Sequence, residues 1–273
     1  MGKPDLERRA IIAAFADMKQ LVRAERQLYQ HSQDQVRREA ELFVEGLVLY
    51  GAAIQLASPA GESITGQAVV RLVQLHRELL WSGWEDIMYG RYAAAMNSLR
   101  VVFELSDYVI ASSYDAKGAR RLLNSKKWDI EAARRVVEAS LRPENPEVFD
   151  EWMARRRDVY NHDFQQVAHT CGPLMQVATA GTLAHGGSWI APGLLAQLAN
   201  LYTELVYEAL LAIGYAIRQR LQPSGTWSQK QGEFMVTWNE YRNANPLQPH
   251  PEVELGNTQP AIHKRDQDTE ESE

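Results

Sequence analysis

Residues 91–114 read RYAAAMNSLRVVFELSDYVIASSY. Tyr92, Met96, Leu99, Val102, Phe103, Leu105 and Val109 recur there at helical spacing and form a broad apolar stripe. Arg100 and Glu104 stand four apart on the polar side, the spacing of a helical ion pair. The Val-Val pairs at 69, 101 and 136 all sit inside a helical period, so no segment reads as a strand. The spacing predicts an all-α fold, a bundle of long antiparallel helices.

Working outward, Gly90 ends a preceding helix over about 67–89. The loop SPAGESITG at 58–66 separates it from a long helix or helix pair within 5–57, where HSQDQ at 31–35 is either a bend or an exposed turn. Downstream, shorter helices are expected at 116–124 and 129–140. A break at PENP, 143–146, starts another, and Ala178 to Gly193 reads as a connection. Pro192 suits the first turn of a long helix to about Leu221. Its stripe through Leu195, Leu198, Leu201, Leu205 and Ile213 should pack on the helices at 67–89 and 91–115. Residues 226–242, with Trp227, Phe234, Trp238 and Tyr241, suggest one more docked helix. The expected organisation is thus an N-terminal helical extension at 1–57, a helical bundle at 67–242, and a disordered acidic tail at 243–273.

The net charge of −6 is unevenly spread. From Glu252 onward seven acids and two bases give −5, whereas Lys117 to Arg157 holds eleven bases and seven acids, or +4. That basic stretch is read either as solvated helix faces or as a surface for an anionic ligand. The single cysteine, Cys171, precludes an intrachain disulfide and fits the cytoplasm; it reads as a packing residue. The start, MGKPDLERRA, lacks the apolar core of a secretory signal. The longest apolar run, Leu194 to Ile217, carries Glu204 and Glu208, which are costly in a bilayer, so it reads as a buried helix rather than a membrane span. No Glu-x-x-His, His-Glu-x-x-His or phosphate-loop motif occurs, and no metal or other cofactor is expected.

One constellation carries chemistry. ARRRDVYNHDF, Ala154 to Phe164, places Arg157 five residues before His162, with Asp158 and Asn161 beside them. On a continuous helix the two would lie roughly 140° apart, so they share a face only if the segment opens into a loop. Arginine offers phosphate a planar fork, and histidine moves a proton near neutral pH. The spacing is common: Arg26/His31 and Arg71/His76 match it too, inside strongly periodic helices. The plainer reading is that Arg157, Asp158 and His162 brace a helix junction.

Together with YGRYAAAMNSLRVVFEL at 89–105, the element Arg157-Asp158-Val159-Tyr160-Asn161-His162 resembles the HEPN superfamily of helical bundles. The resemblance covers about residues 67–221. It implies a metal-independent endoribonuclease of the toxin or antiviral-defence kind. Arg157 would stabilise the phosphate, His162 would act as acid and base at the ribose 2′-OH, and Asp158 or Asn161 would orient them. It also implies RNA as substrate, a homodimer that joins two Arg/His pairs, and an antitoxin or regulatory protein as partner. Many relatives lack nuclease activity, so the alternative is a non-catalytic helical module that binds protein or nucleotide. Convergence of Arg157 and His162 on an open cleft would separate the two.

Overall fold

The computed structural model describes residues 23, 26–57, 63–158, 192–218 and 225–245. Residues 26–35 are helical and lead into α1 (Arg37–Ala57). The backbone bonds Val36 N–H to Ser32 and Ala40 N–H to Val36 carry the helix across the polar HSQDQ segment. That segment is therefore a turn of one long helix. Next come α2 (Ile64–Met88), α3 (Tyr92–Tyr114), α4 (Ala116–Leu123), α5 (Ile130–Leu141), α6 (Pro146–Asp158), α7 (Pro192–Arg218) and α8 (Gly225–Ala244). Among the described residues there is no strand.

Local chemistry sets the boundaries. Ser63 Oγ accepts the Gly66 N–H at 3.0 Å and opens α2. Gly90, at φ 70°, closes it while Arg91 N–H reaches back to the Asp86 carbonyl at 2.7 Å. Asp115 and Asp129 cap α4 and α5 with their carboxylates. Asn145 Oδ1 accepts the Val148 N–H where α6 begins.

The α2–α3 pair is the centre of the bundle, and α7 lies against α3, α1 and α2, as its apolar stripe requires. The arrangement is closest where side chains are smallest. A Cβ on Gly83 would stand 1.9 Å from the Tyr202 hydroxyl, and one on Gly46 would stand 2.3 Å from Val206. Helix α1 shares this core rather than standing apart from it, for Leu42, Phe43, Tyr50 and Ala53 are fully buried in it. Phe43 stacks on Trp84 with ring centres 4.3 Å apart. Burial of each such large side chain is worth about 1.5–3 kcal/mol. Helix α8 covers α1 and α7, burying Trp227, Phe234, Trp238 and Tyr241. No described helix is long and apolar enough to cross a membrane. The tail expected from 243 lies outside the described residues beyond 245, and α8 itself extends to Ala244.

Candidate functional site

Helix α6 joins the bundle without the close backbone approach that links the other helices. Its sequence, PEVFDEWMARRRD, is poor in aliphatic residues, and it reaches the core through long side chains. Three successive arginines point three ways, because neighbours on a helix differ by 100°.

Arg156 points inward and is 3% exposed, a burial that an unpaired cation could not sustain. Its Nη1 donates to Glu208 Oε2 at 3.0 Å and its Nη2 to Asp107 Oδ1 at 2.9 Å. Its guanidinium lies 4.3 Å from the centre of the Phe103 ring and 4.8 Å from that of Trp152. Trp152 Nε1 also donates to Glu208. Asp107 shares its second oxygen with Arg134 Nε at 3.2 Å, and Arg134 pairs with Glu131 at 2.8 Å. Arg155 pairs with Glu204 and lies over the rings of Tyr207 and Trp238. Arg242 approaches the other Glu204 oxygen at 3.8 Å.

Four guanidinium groups thus meet four carboxylates, and the corner is balanced in charge. Burial pushes the Glu208 carboxyl up from its ordinary range, and the nearby Arg156 charge pulls it partly back. Desolvation works against the Arg155 charge, but Glu204 outweighs it and raises the guanidinium's pKa.

Arg157 differs from both neighbours. It is exposed, and among the described residues no carboxylate pairs with it. It lines a cleft of about 150 Å³ with Phe103, Asp107, Arg134, Met153 and Arg156. Phe103 and Met153 give the cleft its apolar lining; Arg134 and Arg156 share the Asp107 carboxylate, which leaves Arg157 as the cation there that can offer an anion a forked contact.

Of the residues expected from sequence, the structure places Arg157 at this cleft. Asp158 is the last residue of α6 and its side chain is outside the described set; Asn161, His162 and Cys171 also lie outside it. Arg100 and Glu104 pair at 2.8 Å as their spacing predicts. Arg26 and Arg71 are exposed on helices, whereas His76 is buried against the Tyr50 hydroxyl at 2.9 Å. Sequence reasoning missed Arg155, Arg156, Arg134 and Asp107. A signal was available: two glutamates one turn apart in an apolar helix demand cations, and ARRRD supplies them. Among the described residues no group of histidine, cysteine, aspartate and glutamate side chains is placed to hold a metal ion. Comparison of the chain with family models, curated proteins and solved structures gives no match.

Proposed function

We propose that the cleft beside Arg157 binds a phosphate group of RNA and that the chain is a metal-independent endoribonuclease of the HEPN kind, acting in the cytoplasm. The observation that carries this reading is the contrast within ARRRD. Arg155 and Arg156 are held by carboxylates, while Arg157 stands exposed at the cleft, with no carboxylate paired to it among the described residues. A phosphate there would gain a forked contact from Arg157. His162 follows five residues later and is the nearest histidine in sequence, the residue type that takes a 2′-OH proton and returns one to the leaving 5′-oxygen. Asp158 and Asn161 would orient the pair.

This reading calls for a homodimer in which two such elements share one cleft, and for a regulatory or antitoxin partner that restrains it. Leu75 on α2 and Val101 on α3 are exposed apolar side chains on the two central helices and offer contact area for a second copy. Sedimentation at micromolar concentration tests the dimer, and a monomer throughout removes it.

Cleavage is tested with purified wild type, Arg157→Ala, Arg157→Lys and His162→Ala on RNA and on DNA of the same sequence. Activity should survive EDTA, leave cyclic-phosphate ends and spare DNA, which lacks the 2′-OH. His162→Ala should lose about 10²-fold or more, with Arg157→Lys recovering part of the Arg157→Ala loss. Wild type that leaves RNA intact overturns the proposal. One observation favours the non-catalytic module instead: Asp107 already engages Arg134 of α5 and Arg156 of α6, so two of the three cleft arginines are already paired. On that reading the cleft binds its anion and the chemistry ends there.

A further inference from the structure

Between Ala116 and Trp128 the chain reads AKGARRLLNSKKW, with five cations and no acid. Lys117, Arg120, Arg121, Lys126 and Lys127 are all exposed. The bracketing acids serve as helix caps: Asp115 accepts the Lys117 backbone N–H at 2.9 Å, and Asp129 accepts that of Ala132 at 3.2 Å.

The turn that gathers these charges is firmly held. Trp128 fits under α4 against Gly118, where a Cβ would come within 2.3 Å of the indole. Tyr108 donates its hydroxyl to the Trp128 carbonyl at 2.8 Å. Arg121 forks onto the Lys127 carbonyl through Nε at 3.1 Å and Nη2 at 2.8 Å. Ser125 takes φ 55°, a conformation that a residue with a Cβ adopts at a cost, and Lys126 N–H closes the turn on the Arg121 carbonyl at 2.8 Å. The backbone that carries the five like charges is thus fixed, and among the described residues no side-chain carboxylate pairs with them. Their mutual repulsion is relieved by a partner that brings several negative charges at matching spacing.

We propose that this α4–α5 corner is an anchoring surface for the phosphodiester backbone of single-stranded RNA, distinct from the Arg157 cleft. Arg134, which walls the cleft, follows Lys127 by seven residues, mostly along α5, so corner and cleft lie on the order of 10 Å apart. A strand held at the corner presents a phosphate a few nucleotides away to Arg157. The inference takes the identity of its partner from the RNA reading above, and its test separates the two.

The probe is a fluorescein-labelled 12-nucleotide RNA with 2′-O-methyl riboses, which binds without being cut, read by anisotropy against salt. Lys126→Gln/Lys127→Gln should weaken binding roughly tenfold or more at low salt and flatten the slope of log affinity against log salt by about 1.4. Lys230→Gln, on the exposed surface of α8, should change neither. Both lysines are exposed, so melting temperature should stay the same. Equal binding by wild type and the double variant overturns the anchoring role. So does corner-dependent binding to phosphatidylglycerol vesicles with none to the oligonucleotide. If wild type cleaves RNA and the double variant cleaves equally well at limiting RNA, the corner fails while the cleavage reading stands. If the corner binds the oligonucleotide and wild type never cleaves RNA, the corner stands and the cleavage reading fails.

Discussion

The two faces of α7 are built by different physics. Toward α1 and α2, Tyr202 sits on Gly83 and Val206 on Gly46, so backbones approach closely and apolar area leaves water. Tyr202 satisfies its hydroxyl on α3, with the Ala95 carbonyl at 2.9 Å and Ser98 at 3.1 Å. Toward α6, Glu204 and Glu208 meet Arg155 and Arg156 across a wider gap bridged by aromatic rings. The first face obtains stability from area and fit, with tolerance set by volume. The second gains little net energy from its charges, because desolvation offsets most of their attraction. Its pairs disfavour other placements of α6, since a shift that parts them leaves a buried ion unpaired. The placement of α6 fixes where Arg157 emerges, so the costlier face is the one beside the candidate site.

Breaking the ionic face should have the largest effect. Arg156→Met leaves Glu208 with Trp152 alone and should cost about 3–5 kcal/mol in denaturant unfolding. Adding Glu208→Leu should return about 1–2 kcal/mol of it, because the orphaned carboxylate is gone. A double variant less stable than the single one would mean that Glu208 is satisfied without Arg156.

Acid should come next. His76 lies fully buried on α2, facing the Tyr50 hydroxyl, and burial lowers its pKa to about 3, with the Arg156 charge acting in the same direction. The unfolded chain takes up this proton near pH 6.5, the folded one only near 3. Within that window the unfolded state binds more protons, so stability is complete above about 6.5 and falls as pH drops. The loss at pH 5 should be on the order of 2 kcal/mol. In His76→Leu the melting temperature should depend less steeply on pH between 5 and 6.5. An unchanged slope would place the acid sensitivity elsewhere.

Smaller effects sharpen the apolar side through their sign. Gly83→Ala forces a Cβ to within 1.9 Å of the Tyr202 hydroxyl and should cost about 1–2 kcal/mol even after the gain in helix propensity. Gly232→Ala on α8 meets nothing within 4 Å and should stabilise by about 0.5–1 kcal/mol. If calorimetry shifts both melting temperatures the same way, close approach is not what limits position 83.

Periodicity and local end signals were enough to read the described helices. The stripe of 91–114, the stop at Gly90 and the start at Pro192 appear within a residue or two of where they were expected, because caps and apolar spacing act within one or two turns of chain. The placement of α7 against α2 and α3 followed from its stripe in the same way. Pairing across the fold was not legible. Asp107 and Arg156 are 49 residues apart, and Arg156 and Glu208 are 52 apart. No local spacing says which of three consecutive arginines turns inward. The sequence marked Arg157 by its distance from His162. Only the tertiary structure decided that Arg155 and Arg156 are consumed by buried carboxylates and that Arg157 faces a cleft. The physical reason is that a buried charge selects its partner by desolvation, and desolvation exists only once the helices have packed.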